Sequence, residues 1–325
     1  MFDPRYFLEL HNVDASLGEE IFLQKIQYSF ESGKKYAIMG ETGSGKTLLA
    51  KIMSGLEPVK TGSVTFQGEM LKNPLELLIP GHTKIAYLSQ YFELPKNYYV
   101  KDFLDFENHI EENKAAHLKK ICRIEHLLNR KTQAMSGGEK QRVALTKKLM
   151  LLPELLILDE PFAHLDYPNR QIMKSVIQDY LLNYKANSIL VTHDYTDIYE
   201  QTDELLILRE GRLIASGKPK DLYYRPSNMY VAQLLGPSKQ YAVKDLCFDL
   251  SIDGNILLRP DFFYITEGEG DFMGIVSQAH FNGIMYHITV TMPNDRQIWL
   301  YHPELPQLGS KVSVHFRREF LHRLP

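Results

Sequence analysis

The sequence predicts an α/β core with a parallel β-sheet and a helical insertion, followed by a small C-terminal all-β barrel domain. Through about the first 235 residues, short apolar runs alternate with longer helical patterns, which is typical of a parallel sheet covered by helices. Between residues 91 and 150 this alternation gives way to amphipathic helical patterns. Beyond Tyr241 the chain shows strand-like alternation broken by turn signals such as Asp253-Gly254.

The strands of the core are predicted from alternation, from β-branched and aromatic content, and from short apolar runs. In chain order we expect them at Phe7–Val13, Ile21–Phe30, Tyr36–Met39, Lys84–Ser89, Leu155–Leu158 and Ser188–Thr192, with a hairpin formed by Glu204–Arg209 and Arg212–Ser216.

Helices are predicted where apolar residues recur at helical spacing. We expect them at Lys46–Ser54, at Glu112–Leu128 and Gly137–Leu151 in the insertion, and at Asp221–Leu235. The turn chemistry of Gly236-Pro237-Ser238 predicts a linker. We therefore place a nucleotide-binding domain at residues 1–238 and a β domain, ending in the strand Val312–Phe316, at residues 239–325.

Composition narrows the class of protein. A formal net charge of -3 gives no basic footprint, so we expect no nucleic-acid partner. The two cysteines, Cys122 and Cys247, form neither a metal-site spacing nor a disulfide framework, which fits a reducing compartment. Met1–Leu10 lacks the apolar core of a signal peptide, and no run of about 18 apolar residues predicts a bilayer-spanning helix. We expect a cytoplasmic protein.

A glycine-rich loop between a predicted strand and a predicted helix matches the P-loop pattern. The matching residues are Gly40, Glu41, Thr42, Gly43, Ser44, Gly45, Lys46 and Thr47. The glycines allow backbone N–H groups to surround phosphate oxygens at the start of the helix. Lys46 is expected to reach the β- and γ-phosphates, and the Thr47 hydroxyl to ligate Mg²⁺. The alternative, a glycine-rich turn with a surface lysine, does not account for the flanking strand and helix.

Polar side chains follow three of the predicted strands. Asp159 and Glu160 end the apolar run Leu155–Leu158, His193 follows Ser188–Thr192, and Gln90 follows Lys84–Ser89. Carboxyl ends of parallel strands face the crevice in which ligands bind. We expect Asp159 to help hold Mg²⁺ and Glu160 to act as general base towards water.

The other two strand-end residues are predicted to complete this site. We expect His193 to contact the γ-phosphate, and Gln90 to reach Mg²⁺ or the attacking water. A solvated strand end, a structural histidine and an exposed turn glutamine are the alternatives for these positions.

A second potential anion site lies at Ser136, Gly137, Gly138 and Glu139, which open the predicted helix Gly137–Leu151. One nucleotide does not need two such helix ends from the same chain. The second end is therefore predicted to serve the nucleotide of a partner chain across a two-fold axis. N-capping by Ser136 is the alternative.

Together these motifs resemble those of ABC transporter ATPases. Gly40–Thr47 is similar to Walker A, Leu155–Glu160 to Walker B, Ser136–Gln141 to the ABC signature, Gln90 to the Q-loop, His193 to the switch histidine and Ala163–Asp166 to the D-loop. The resemblance covers about the first 235 residues. It implies ATP hydrolysis with Mg²⁺ in a homodimer that places Asp166 near the shared nucleotide. It also implies an integral-membrane permease as partner, and a peripheral position on the inner face of the cell membrane.

The sequence departs from the family pattern at four positions. Met135 and Glu139 replace the leucine and glutamine of the usual signature, and Ala163 replaces the serine of the D-loop. The position of the family's adenine-stacking aromatic matches Leu17, with Phe22 nearby. Leu17 is thus the predicted base contact, and we expect loose base selectivity.

The C-terminal region also resembles part of this family. Leu257–Asp261 is similar to the Arg-Pro-Glu element of importer ATPases, and Gly309–Phe316 suits their small OB-like β domain. Within the family, the chain is most similar to ATPases of iron(III), polyamine, molybdate, sulfate and sugar importers. The resemblance implies solute import, with a solute-binding protein reached through the permease. An exporter ATPase, a soluble ABC-type ATPase and a P-loop kinase of small molecules are the alternatives.

Overall fold

The protein is described here from a computed structural model covering residues 3–17, 20–89, 94–106, 110–200, 202–250 and 252–324. The chain forms two compact units, residues 1–218 and residues 219–325. Among the described residues, no helix is both long enough and apolar enough to cross a membrane.

The first unit contains ten described strands and five α-helices. The strands are β1 (Tyr6–Leu17), β2 (Glu20–Glu31), β3 (Lys35–Met39), β4 (Thr61–Phe66), β5 (Glu69–Met70), β6 (Ile85–Leu88), β7 (Leu155–Asp159), β8 (Asn187–Thr192), β9 (Glu204–Arg209) and β10 (Arg212–Gly217). The helices are α1 (Lys46–Met53), α2 (Val100–Asp105), α3 (Glu112–Ile121), α4 (Gly137–Leu149) and α5 (Tyr167–Tyr184).

The central sheet has the order β10-β9-β3-β8-β7-β6, and it confirms the predicted parallel core. Strands β9, β3, β8, β7 and β6 are parallel, and only the edge strand β10 is antiparallel to its neighbour. In this register Met39 lies beside Thr192 and Asp159 beside Val191. The residues that follow β3, β7 and β8 therefore meet at one edge of the sheet.

A second, antiparallel sheet of order β2-β1-β4-β5 shares its core with the central sheet. Buried Leu8 and Phe30 from this sheet, Ile38 and Ile157 from the central sheet, and Leu49 from α1 belong to one apolar cluster. Removing this apolar area from water fixes α1, and with it the end of the P-loop, against both sheets.

The second unit contains α6 (Pro219–Tyr224), α7 (Met229–Leu234) and seven strands among its described residues. These are β11 (Lys239–Ala242), β12 (Asn255–Leu258), β13 (Phe263–Thr266), β14 (Phe272–Phe281), β15 (Tyr286–Thr291), β16 (Gln297–His302) and β17 (Lys311–Phe316). Strands β11 and β12 pair with each other, and the other five form an antiparallel sheet of order β13-β17-β14-β15-β16. Its end strands β13 and β16 lie next to each other, so the sheet curls on itself. From residue 239 onward, the predicted all-β character is confirmed.

Two predicted helices are interrupted, and both interruptions have a backbone cause. The predicted helix over 112–128 ends at Ile121 because Arg123 adopts a left-handed conformation with φ 54°, and a 3-10 turn follows at Glu125–Leu127. The predicted helix over 221–235 is split into α6 and α7 because Pro226 cannot continue a helix, and Asn228 caps the start of α7. Both α6 and α7 belong to the second compact unit.

Candidate functional site

The P-loop connects β3 to α1 and leaves the start of α1 open. Gly45 stands at the N-cap position with φ 103°, a conformation that costs a non-glycine residue energy, and it provides no side-chain cap. At Gly40 a Cβ would lie 2.2 Å from the carbonyl oxygen of Leu208, so only glycine fits. The backbone N–H groups at the start of α1 are thus left for a ligand.

Lys46 lies inside this loop rather than on the surface. Its side chain is buried, and its ammonium group donates hydrogen bonds of 2.8 Å to the carbonyl oxygens of Gly40 and Glu41. Burial lowers the pKa of Lys46, while the nearby carboxylates of Glu160 and Asp159 act in the opposite direction. A desolvated cation held over a ring of backbone groups is suited to phosphate oxygens.

Asp159 ends β7 and is almost fully buried. Burial raises its pKa, and hydrogen bonding to Tyr87 and Thr47 opposes that rise. The Tyr87 hydroxyl donates to Oδ2 at 2.8 Å, whereas Oδ1 has no hydrogen-bond partner in the described part of the chain. The Asp159 carboxylate and the Thr47 hydroxyl that hydrogen-bonds to it offer oxygen ligands of the kind that Mg²⁺ prefers. Thr47 and Asp159 therefore fit the predicted metal.

Glu160 and His193 form a pair at the same edge of the sheet. His193 Nδ1 lies 2.8 Å from Glu160 Oε1. Glu160 adopts a left-handed backbone conformation with φ 49°, which its N–H group supports by donating to the Val191 carbonyl oxygen at 2.9 Å. This left-handed conformation ends the extended backbone of β7 at Glu160, whose carboxylate faces the imidazole of His193.

One cavity of about 550 Å³ brings most of these groups together. Its lining includes Thr42, Gly43, Lys46, Thr47, Glu160 and His193. A larger cavity of about 750 Å³ is lined by Asp14, Gln24 and Arg212 among others, and it carries none of the predicted site residues. The smaller cavity is the better candidate because phosphate-binding and general-base groups converge there.

Phe22 of β2 also lines this cavity, a position that was not predicted for it from the sequence. Its Cε1 atom lies 3.3 Å from the point where a Cβ on Gly45 would stand. Its aromatic character and its place close to Leu17 in the sequence were the available signal. The side chain of Leu17, the predicted base contact, lies outside the described residues.

The second predicted anion site is a closed capping box. Ser136 Oγ accepts a hydrogen bond of 3.3 Å from the Glu139 N–H group, and Glu139 Oε2 accepts one of 2.8 Å from the Ser136 N–H group. Glu139 also pairs with Arg130 at 3.0 Å. A Cβ on Gly138 would approach Asn169 Cγ to 2.8 Å, whereas one on Gly137 would meet nothing within 4 Å.

The structure separates the predicted residues into two groups. Ser136, Gly137 and Asp166 are exposed, and the lining of the P-loop cavity includes none of them as far as the described residues show. Asp166 caps α5 by accepting a hydrogen bond of 3.0 Å from the Asn169 N–H group. Gln90 lies outside the described residues.

Comparison with known proteins supports the ATPase assignment. The sequence model of the ABC transporter family matches residues 23–163. The glucose import ATP-binding protein GlcV of Saccharolobus solfataricus is 28% identical over 334 residues, covering 93% of this chain and 94% of that protein. The Fe(3+) ions import ATP-binding protein FbpC 2 of Pectobacterium atrosepticum is 29% identical over 320 residues, covering 88% and 90% respectively.

Solved structures agree on the fold. CbiO1 from Clostridium perfringens, part of the ABC transporter complex cbiONQ, matches with a TM-score of 0.59 at 24% identity, covering 67% of this chain and 91% of that chain. A nucleotide-free ATP-binding cassette from an ABC transporter matches with a TM-score of 0.55 at 23% identity, covering 66% and 91% respectively. The P-loop, the buried carboxylate of Asp159 and the segment that the ABC transporter family model matches all lie in one unit, and over that unit the chain is similar to ABC transporter ATPases.

Proposed function

We propose that this chain hydrolyses ATP as the motor subunit of an ABC importer, acting as a homodimer bound to a separate integral-membrane permease. The observation that supports import is the extent of the likeness. Both relatives named as import ATP-binding proteins align over about nine tenths of the chain, which includes the second unit. The proposal places the protein in the cytoplasm, peripheral on the inner face of the cell membrane.

Phosphate binding is assigned to the open start of α1. On ATP binding, the Lys46 ammonium would exchange its bonds to the carbonyl oxygens of Gly40 and Glu41 for bonds to phosphate oxygens. Thr47 and Asp159 would hold Mg²⁺, which, when bound, neutralises charge on the phosphate oxygens. Phe22 would contact the base, because it is the aromatic side chain of the cavity lining.

Hydrolysis is assigned to the Glu160 and His193 pair. The Glu160 carboxylate lines the cavity with Lys46 and Thr47, and it can accept a proton from the attacking water. The imidazole, 2.8 Å from that carboxylate, would orient it and contact the γ-phosphate. A carboxylate and an imidazole beside a P-loop lysine is the arrangement that supports this activity.

The homodimer is proposed because the second group of predicted residues faces solvent. Ser136 and Gly137 are exposed at the start of α4, where they could meet the nucleotide of a second copy. The permease contact is proposed near Gln90 and Tyr91, which lie outside the described residues, and near exposed Tyr98 and Tyr99.

The substitution Glu160→Gln tests the hydrolysis assignment. It keeps the size of the side chain but removes the base, so we expect ATP binding to persist while hydrolysis slows by roughly 10²–10⁴-fold. The variant should accumulate as an ATP-bound dimer in gel filtration. Full turnover by a monomeric variant would contradict both the base assignment and the dimer.

Solute uptake by cells that produce this chain tests import. Deleting the chain should abolish uptake of one solute among iron(III), polyamines, molybdate, sulfate and sugars. Wild-type protein should restore that uptake, and Lys46→Ala should not. Unchanged uptake of the whole panel together with lost efflux of a compound would identify an exporter instead.

A further inference from the structure

The first turns of α5 carry an ion-pair network that does not touch the P-loop cavity. Arg170 Nη2 lies 2.6 Å from Asp194 Oδ2 and 2.6 Å from Asp197 Oδ1, and its Nε donates to the same Asp197 oxygen at 3.1 Å. Lys174, one turn further along α5, lies 3.3 Å from Asp197 and 2.9 Å from Glu200. Two cations of one helix thus hold three carboxylates of the segment that follows β8.

This segment begins immediately after His193. Asp194 caps a 3-10 turn over Tyr195–Asp197, because its Oδ1 accepts a hydrogen bond of 2.9 Å from the Thr196 N–H group. Its own N–H group donates to Thr192 Oγ1 at 3.0 Å. The backbone on the C-terminal side of His193 is therefore fixed through Asp194, and Asp194 is in turn held by Arg170.

His193 needs such support because little else holds it. Its side chain is 59% exposed, so packing does not restrict the imidazole. Within the described part of the chain, the imidazole contacts the Glu160 carboxylate at 2.8 Å. By contrast, Asp197 is 3% exposed and Lys174 7% exposed, and charges removed from water to that degree keep their geometry only when paired. The rigid part of this region is the ion-pair network, not the histidine.

The same helix turn contacts the start of α4. Asn169, the neighbour of Arg170, accepts a hydrogen bond of 3.2 Å from Arg142 and lies against Gly138. Asp166, which caps α5, accepts the Arg170 N–H group through its carbonyl oxygen at 2.9 Å. Arg170 is therefore anchored to the body of the unit on one side and reaches the segment after His193 on the other.

We propose that Arg170 is a positioning residue for hydrolysis: by holding Asp194 and Asp197, it fixes His193 where it meets Glu160. This role rests on the proposed function. Arg170 does not contact the nucleotide in this assignment, and it acts only through the histidine. Lys174 supports the same network, because it pairs with Asp197, one of the two carboxylates that Arg170 also holds.

A double-mutant cycle on the full-length chain separates positioning from general stability. Arg170→Ala should lower kcat for ATP hydrolysis about 10–100-fold, because a misplaced catalytic group loses rate steeply. KM and the Kd for ATP should change less than about threefold, since Lys46 and Thr47 are untouched. In a His193→Ala background the same substitution should lower kcat less than about twofold, because the group it positions is already absent.

Milder variants keep the test valid if Arg170→Ala folds poorly. Asp194→Asn retains an oxygen for the Thr196 N–H group but loses the charge pair, so we expect an intermediate fall in kcat, about 3–10-fold. Arg170→Lys should restore part of the rate lost in Arg170→Ala. Lys34→Ala is the matched control, because it removes a 2.8 Å ion pair with Glu31 outside the cavity lining and should leave kcat unchanged.

The outcomes distinguish the two proposals. Wild-type turnover in Arg170→Ala and Asp194→Asn would overturn the positioning role, as would equal losses from Arg170→Ala with and without His193. In both cases the ATPase assignment would stand. No hydrolysis by the wild-type chain would overturn the proposed function, and the positioning role with it.

Discussion

The two helix starts that the sequence marks as anion sites, those of α1 and α4, differ in what already occupies them. The start of α1 has a glycine cap with no side-chain hydrogen bond, and a buried Lys46 folded over its loop. The start of α4 is closed by its own side chains, since Ser136 and Glu139 each satisfy an N–H group. The start of α1 can therefore bind a ligand within its own chain. At the start of α4, the N–H groups of Ser136 and Glu139 already have hydrogen-bond partners in a single chain.

The comparison also separates the two glycines of α4. Gly138 has a packing reason, because a Cβ there would collide with Asn169. Gly137 has none, because the space around it is open. Capping and packing therefore account for Ser136, Gly138 and Glu139, but neither accounts for the exposed Gly137.

The largest effect is expected at the start of α1. Lys46→Ala removes the buried cation, and two or more charge-assisted hydrogen bonds to phosphate are worth enough to raise the Kd for ATP by about 100-fold or more. Equilibrium binding of ATP to the purified chain measures this. Unchanged affinity would contradict the assignment of the start of α1, rather than that of α4, to the nucleotide of the same chain.

Ser136→Arg should act on turnover rather than on binding by a single chain. The guanidinium replaces the hydroxyl and blocks approach of a second nucleotide, so we expect hydrolysis to fall by about 100-fold or more. Binding of ATP to the monomer should persist, since Lys46 and Thr47 remain. Normal turnover would contradict the shared site.

Mixing Ser136→Arg with Lys46→Ala chains sharpens this test. In a mixed dimer both lesions fall on one composite site, and the other site is intact. Turnover should return to as much as about half of the wild-type value if the sites act independently. Steady-state hydrolysis of the mixture, compared with each variant alone, measures the return.

Gly137→Ala probes the position that the single chain does not explain. Alanine fits the open space and favours a helix by up to about 1 kcal/mol over glycine, so the thermal midpoint should be equal or higher. Hydrolysis should fall by a few-fold if the partner's nucleotide approaches here, because the added methyl group would stand between the N–H groups and phosphate. Undiminished turnover would assign this glycine no role. Gly138→Ala, which collides with Asn169, is the structural control.

The smallest effect is expected from Glu139→Gln. Glutamine can still accept from the Ser136 N–H group but loses the ion pair with Arg130, so unfolding should become easier by less than about 1 kcal/mol at pH 7. Hydrogen bonds to Ser136 lower the pKa of Glu139 against the effect of its burial. The carboxylate therefore stabilises the fold above its unfolded-state pKa, and that stabilisation disappears as the pH falls through the folded-state value. Thermal unfolding of both proteins should differ at pH 7 and converge once the pH falls below the lowered folded-state pKa of Glu139.

Much of the site was predictable because the polar residues at the ends of parallel strands share an edge of the sheet. Asp159, Glu160 and His193 were predicted in this way and Lys46 from the P-loop pattern, and the register of β3, β7 and β8 explains why these residues lie at one edge. Phe22 was not assigned, because its approach to the P-loop depends on how the antiparallel sheet packs against the core.

Side-chain networks between distant segments were not predictable from the sequence. Arg170 and Asp194 are 24 residues apart, and nothing in their local patterns indicates that they pair. The missed helix α5 had local signals, since Asp166 is a good N-cap and Pro168 stands in its first turn. Its position behind the D-loop explains how Arg170 reaches the segment after His193.

Arg259 determines at which residue the β domain can be joined to another chain without losing hydrogen bonds. This fully buried guanidinium donates hydrogen bonds to the carbonyl oxygens of Tyr223, Ala232, Gly236 and Pro237, and it lies 3.9 Å from the centre of the Tyr223 ring. All four acceptors precede residue 239. A β domain transplanted from residue 239 onward would contain Arg259 without these four acceptors. Its free energy of unfolding should be lower by several kcal/mol, because a buried cation would lack partners. Recombination that joins the chains at residue 218 keeps Arg259 and its acceptors together, so β domains of this kind should be exchanged together with the two helices that precede them.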